Sequence, residues 1–564
     1  MRTPHPLALV PLAAAALLGG CAGGDAVIPR LAAASGASLG SCASLATAFS
    51  FANTSITSAV DVPAGTLTLG GQPVPEHCLV TGTMDSRAGL NGGYAIGFEV
   101  RLPDNWNGRF YYQANGGADG NVVPAQGALG GGPVTGALMQ GFAVLSSDAG
   151  HNAAQNAPGS ANFGNDPQAR LDYGYQAVGK LTPMAKSLIA AGYGKAPDRS
   201  YIGGCSNGGR HTMVAASRYA DQFDGYLVGD PGFHLPRAAT ANIAGYQQYL
   251  TLASTAGNAA TGFTQAERTL VSNAVLAKCD ALDGATDGLV QDTAACQAAF
   301  DINRDVPTCS GSRDGTCLSS AQKTVIGQLF AGVKAGDGSK IYASWPVDAG
   351  LGTNGWSFWK FTVPAILDSM AVGEIFQTPP EDPTTFVGPT FAATGSVDQM
   401  LARIMATNAT FTESGWSFMV PPNETDLSAL KNRGAKMMLY HGTSDPIFSY
   451  NDTLAWYQGL AQANDGDATN FARLYSIPGM NHCSGGPATD QFDMLSQLVA
   501  WVEQGQAPGA VIATARGAGN PGGVNADVPA TWSPNRTRPL CPYPQVARYK
   551  GSGSLDEAVN FACQ

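Results

Sequence analysis

Short apolar runs separated by glycine-rich turns predict strands over 97–102 and 108–112. A βαβ rhythm then sets in. Its elements are a strand over 142–146, a helix over 175–191, a strand over 200–203 and a helix over 210–219. Much later come buried strands over 436–440 and 472–477 and a closing helix over 491–503. Strands that alternate with helices argue for a mostly parallel sheet covered on both faces, an α/β fold. Between 233 and 429 the rhythm is lost, and the segment carries its own cysteine pairs, tryptophans and proline-rich turns. That marks an inserted lid domain, which divides the core into 42–232 and 430–564. Ahead of them stands a small-residue linker over 21–41, the one low-complexity stretch, and no internal repeat is found.

The chain has 564 residues, which suits two domains or one core with a large insertion. At 44% hydrophobic and 13% charged residues, it has ample core and is not a disordered polyelectrolyte. A net charge of −11 without any Lys/Arg cluster leaves no footprint for a phosphate backbone, so nucleic acid is excluded as a partner. Arg2 precedes an apolar stretch over 7–18 that is too short to span a bilayer comfortably, which predicts a cleaved export signal over 1–20. Leu18-Gly19-Gly20-Cys21 is similar to a bacterial lipobox, and predicts a lipidated Cys21 and a lipid anchor, plain secretion being the alternative. The remaining ten of eleven cysteines are an even set, expected to form five disulfides outside the cytoplasm. Sequence alone leaves the pairing open. Near neighbours are Cys42 with Cys78, Cys279 with Cys296, Cys309 with Cys317 and Cys541 with Cys563, which leaves Cys205 and Cys483. The absence of a Cys-x-x-Cys pair disfavours zinc.

The strongest chemical signal is Gly204-Cys205-Ser206-Asn207-Gly208, a G-x-S-x-G between a predicted strand and a predicted helix. The glycines permit a strained turn that exposes the serine hydroxyl at the carboxyl end of the sheet. A neutral hydroxyl needs a base, and in α/β-hydrolase chains the acid and the histidine follow the serine in that order. Asp445, after one predicted strand, and His482, after the next, meet that order; His441 precedes the acid, His211 lies on the elbow's own helix and His234 opens the insertion. An Asp before Pro446 also suits an ordinary turn. Cys205 adjoins the proposed nucleophile and Cys483 the proposed base, so a bond between them would staple the site: side chains in hydrogen-bond reach bring their neighbours toward disulfide range. Inside the insertion, Asp280, Asp283 and Asp287 interleave with glycine in a spacing unlike an EF-hand. They suit a hard cation bound by oxygen, or a solvated acidic turn.

The Cys-Ser, Asp and His-Cys pattern resembles the tannase and feruloyl esterase family. So do the stretches 479–486, 538–544 and 548–553, and the likeness spans nearly the whole mature chain. The resemblance implies an α/β-hydrolase core with a lid, five disulfides in the pairing set out above, and hydrolysis of small esters of aromatic acids without an organic cofactor. It places the oxyanion hole at the backbone N–H groups of Gly117 and Asn207. It further implies a structural Ca²⁺ held by Asp280, Asp283 and Asp287 and by the carbonyls of Ala285 and Leu289. Trp359, Phe376 and Phe448 match pocket-lining aromatics, though each also reads as plain core. One departure bears on substrate. Family members that take a terephthalate monoester hold its carboxylate with an arginine from the stretch matching 361–375, which has no arginine here and puts Val363 near that place. Lys360 would be a substitute only as a point charge. Neutral or phenolic esters of the feruloyl or galloyl kind are therefore expected over terephthalate monoesters. Oligomeric state is not legible.

Overall fold

The computed structural model describes Met1 and residues 29–90, 92–127, 131–132, 134–152 and 161–564; the expected export signal and Cys21 lie outside them. Nine strands make one sheet: β1 (Thr54–Val62), β2 (His77–Gly89), β3 (Gly92–Pro103), β4 (Arg109–Gln113), β5 (Ala143–Ser147), β6 (Arg199–Cys205), β7 (Gly225–Gly229), β8 (Lys436–Gly442) and β9 (Ala472–Ile477). Their spatial order is β9-β8-β7-β6-β4-β5-β3-β2-β1. From β9 to β5 every pairing is parallel, and from β5 to β1 every pairing is antiparallel. The sheet is α/β as expected. Its antiparallel wing is longer than the sequence pattern suggests, because β1 mixes half-buried with exposed positions, β2 alternates buried with half-buried ones over much of its length, and neither carries a continuous apolar signal.

Successive residues of the parallel strands feed two different cores. Phe110, Tyr112, Ile202, Val228, Met437 and Leu439 point to one face, while Tyr111, Tyr201, Leu227, Met438 and Tyr440 point to the other. The first face is covered by α1 (Ala177–Tyr193) and α2 (Asn207–Arg218). In α1 the apolar residues Val178, Leu181, Ala185 and Leu188 recur at helical spacing, and Gly194 ends it with φ +70°. The second face is covered by the closing helix, Met494–Gln504, capped by the Asp493 side chain on the Ser496 N–H.

Between β7 and β8 the named elements are all helical, beginning with α3 (Leu235–Thr251), and most of them pack into a core that also takes in Tyr94, Phe163, Tyr173 and Phe448. His234, just ahead of α3, ties this stretch to the sheet body. Its Nδ1 lies 3.0 Å from Asp452, and its Nε2 lies 2.9 Å from Glu424. Five disulfides join Cys42–Cys78, Cys205–Cys483, Cys279–Cys296, Cys309–Cys317 and Cys541–Cys563. Among the described residues no helix is long and apolar enough to cross a membrane.

Candidate active site

In open α/β sheets, chemistry collects beyond the carboxyl ends of parallel strands. Ser206 directly follows β6, Asp230 follows β7, Asp445 lies three residues past β8 and His482 five past β9. Ser206 forms the turn into α2 with φ +67° and ψ −127°, a strained backbone for a residue with a side chain. The turn is this tight because the flanking backbones touch. A methyl group on Gly204 or Gly208 would collide with the carbonyl oxygen of Ala114 in the loop after β4.

The three residues that sequence order singled out converge. Ser206 Oγ lies 2.8 Å from His482 Nε2, and His482 Nδ1 lies 2.7 Å from Asp445 Oδ2. A carboxylate can only accept, so the imidazole proton sits on Nδ1 and leaves Nε2 as the acceptor for the serine hydroxyl. Asp445 Oδ1 also accepts from the backbone N–H groups of Ile447 (2.8 Å) and Phe448 (3.1 Å). Burial pushes the Asp445 carboxyl upward, but the charge of His482 and the hydrogen bonds of His441 and His482 outweigh it and hold the group below the usual carboxylate range. The Cys205–Cys483 bridge, with Cα atoms 6.0 Å apart, clamps the neighbours of nucleophile and base.

Gly117, at φ +63°, follows Gly116, where an added methyl would meet the Ser206 Cβ at 3.7 Å, and Asn207 opens α2 directly after Ser206. Among the described residues, neither backbone N–H meets a protein acceptor. Sequence inspection missed what holds them. The Asn207 side chain donates to Asp119 (2.6 Å), two residues past Gly117, and accepts from Arg210 Nε (2.6 Å). Arg210, fully buried, donates onward to the carbonyls of Gly174 (2.7 Å), Tyr173 (3.1 Å) and Met419 (3.3 Å). The i, i+3 spacing of Asn207 and Arg210 on one helix was the one available signal.

Of the three aromatics, Trp359 and Phe448 meet the base edge-on, their ring centroids 4.7 and 5.3 Å from the His482 ring. Phe376 is wholly buried in the helical core. Val363 is buried as well. Lys360 does not face the serine: its Nζ donates to the Pro446 carbonyl (2.7 Å) and sits 3.5 Å over the Trp345 ring. Burial pulls its pKa down to about 7. It lines, with Asn242, Tyr249, Asp348 and Asp445, a cavity of about 30 Å³ behind the acid. That space has room for a water molecule and is too small for an aromatic ring.

In the acidic loop, Asp280 accepts from the N–H groups of Asp287 and Gly288 (both 2.9 Å), and Asp283 Oδ1 accepts from Ala285 (2.9 Å). Asp283 Oδ2 is buried without a partner. Burial first, then the charges of Asp287 and Asp280, push Asp283 up to about 7. An orphaned carboxylate oxygen among like charges fits a hard cation. Asp287 is partly compensated already, by an ion pair with Arg538.

A family model described as tannase and feruloyl esterase matches residues 78–564. Mono(2-hydroxyethyl) terephthalate hydrolase of Piscinibacter sakaiensis is 42% identical over 541 residues, covering 89% of this chain and 87% of that protein. In fold the chain is similar to feruloyl esterase B from Aspergillus oryzae (TM-score 0.74, 24% identity, 93% of this chain and 100% of that one). It is also similar to the tannin acyl hydrolase from Aspergillus niger (TM-score 0.66, 19% identity, 91% and 92%).

Proposed function

The chain belongs to the tannase and feruloyl esterase family and is a carboxylic ester hydrolase, and from that premise we propose that it cleaves small aromatic esters through an acyl-enzyme on Ser206. In this reading His482 Nε2 takes the Ser206 proton as Oγ attacks the ester carbonyl, and Asp445 steadies the imidazolium. The carbonyl oxygen, now charged, accepts from the N–H groups of Gly117 and Asn207, preorganised donors each worth about 3 kcal/mol of barrier in comparable sites. The imidazolium returns its proton to the departing alcohol. Water then enters, again deprotonated by His482, and its attack frees the aromatic acid and restores Ser206. The single observation that carries the reading is the imidazole bridging the elbow hydroxyl at 2.8 Å and the buried carboxylate at 2.7 Å.

For the acyl group we favour phenolic or neutral rings, as in feruloyl and galloyl esters. Trp359 and Phe448 supply apolar edges beside the base, while 361–375 has no arginine and Lys360 is engaged behind Asp445. A terephthalate monoester is the second reading, supported by the 42% identity to a hydrolase of that substrate. Ser206→Ala should abolish turnover of methyl ferulate and labelling by a fluorophosphonate; a variant that keeps turnover removes Ser206 from the mechanism. Across methyl ferulate, methyl gallate and a terephthalate monoester, the first two should give the higher kcat/KM. A terephthalate ester better by more than about tenfold, some 1.4 kcal/mol, would overturn the substrate assignment.

We further assign a structural Ca²⁺ to Asp280, Asp283, Asp287 and the carbonyls of Ala285 and Leu289, supported by the unpartnered oxygen on Asp283. When bound, the ion neutralises the crowded carboxylates; it takes no part in the ester chemistry. Five disulfides support an oxidising compartment. Lipid attachment at Cys21 is a separate proposal, read by intact mass of protein from the membrane fraction.

A further inference from the structure

A second carboxylate lies against the acid of the site, and the mechanism above does not use it. Asp230 follows β7, the strand between those that carry Ser206 and Asp445, and is fully buried. Ligating atoms of Asp230, His441 and Asp445 all lie within 4.8 Å of one another. The backbone of Asp230 holds φ +34°, where side-chain-bearing residues are rare, with its N–H given to the Tyr440 carbonyl at 3.0 Å. Such strain is kept only where the surroundings demand it.

Two carboxyl groups this close in a buried site disfavour each other's charged form, which favours one that keeps a proton and donates it. Hydrogen-bond supply decides which. Asp445 accepts from the His482 imidazole and from two backbone N–H groups. Asp230 accepts from one, the Gly442 N–H at 2.8 Å. Of its other neighbours, His441 is favoured in its charged form and lies nearer Asp445 than Asp230. Cys205 Sγ, 3.5 Å from Asp230 Oδ2, is in a disulfide and has no proton to give. His441 has Nε2 3.0 Å from the Phe448 carbonyl and Nδ1 2.8 Å from the Thr453 hydroxyl, with Asp445 and Asp230 farther off at 3.5 and 3.9 Å. Lys360 reaches the cluster only through its charge on Asp445. The anion therefore settles on Asp445.

We propose that Asp230 is a positioning residue of the ester hydrolase: a buried carboxylic acid that donates its proton to Asp445 and keeps Asp445 the single acceptor-only anion facing His482. The direction of its titration agrees. Burial, followed by the neighbouring Asp445, lifts Asp230 well above the carboxylate range against the pull of His441. This assignment deepens the acyl-enzyme reading and depends on Asp445 being the acid of that mechanism.

The test is kinetic, on full-length protein with methyl ferulate, with pH profiles of kcat/KM and thermal melts. Asp230→Asn keeps a donor toward Asp445 and an acceptor for Gly442, so it should stay within about threefold of wild type with the acid limb in place. Asp230→Ala removes the donor and should lower kcat about 10- to 100-fold at similar KM, the usual scale for partners that orient a reacting group. If Asp230 were a second anion, Asp230→Asn would move the acid limb down by about a unit or more, and that result overturns the proposal. Wild-type kcat in Asp230→Ala also overturns it. Should the alanine variant fail to fold, the pH profile of Asp230→Asn decides alone. Asp445→Asn tests the underlying reading separately: it should lose about 10⁴-fold, and if it does not, the failure belongs to the acyl-enzyme assignment.

Discussion

A single backbone conformation shapes the turn that carries Ser206. At φ +67° and ψ −127° the residue sits where only glycine is at ease, and the strain, on the order of 1–3 kcal/mol, is held by the close contact of β6, α2 and the loop after β4. Ser206→Gly and Ser206→Ala should therefore part company. Both lose turnover, but the glycine variant should be the more stable by about 1 kcal/mol or more, since it alone relaxes the turn. Equal melting temperatures would mean that the elbow carries no strain. The bare motif Gly204-Cys205-Ser206-Asn207-Gly208 is readable in the sequence because glycine at those places has a steric reason. Asp230 and Asp119 were not readable, because a lone buried polar residue has no local pattern and acquires its role from partners distant in the chain; Arg210 offered only its helical spacing from Asn207.

At the scale of an element, the loop from Asp280 to Leu289 works against itself at neutral pH. Asp283 titrates near 7 in the folded chain against an ordinary 3.8. A carboxyl whose folded pKa is raised binds more protons folded than unfolded between those values, so its ionisation removes stability as pH rises from about 4 to 7. A cation reverses that by favouring the charged form. Stability without Ca²⁺ should accordingly decline across this window, and Ca²⁺ should flatten the decline and raise the melting temperature at pH 7. Asp283→Asn should show neither the full decline nor the full response. An identical melting curve with calcium and with a chelator at pH 7 would dismiss the site. The spacing of the three aspartates suggested this chemistry; the orphaned oxygen and the competing Arg538 became visible only after folding.

Over the whole molecule, the site is assembled from four strand ends, and one covalent bond joins two of them. Cys205–Cys483 closes 278 residues of sequence, for which loop closure alone gives about 6 kcal/mol, an upper figure because two other disulfides already shorten the loop. Replacing both cysteines by alanine should lower the melting temperature, and should also lower kcat well below that temperature by freeing the loop that carries His482. Unchanged kcat in a folded double variant would reduce the bridge to a stabiliser. The parallel strands and their helices were legible because apolar spacing records which faces are buried, and the order serine, acid, histidine was legible because strand ends recur at intervals along the chain. Apart from the strand over 97–102, the antiparallel wing was hidden by its half-polar alternation, and the buried state of Phe376 and the turn of Lys360 toward Pro446 depend on packing between distant helices. The sequence by itself determined the fold class, the nucleophile with its base and acid, and the cysteines available to clamp them, since each rests on local geometry or on order along the chain. Tertiary structure alone decided which polar groups lie within a hydrogen bond of one another, and so where protons and charge reside: at short range in a dry interior, position in space governs electrostatics, and separation in sequence does not record it.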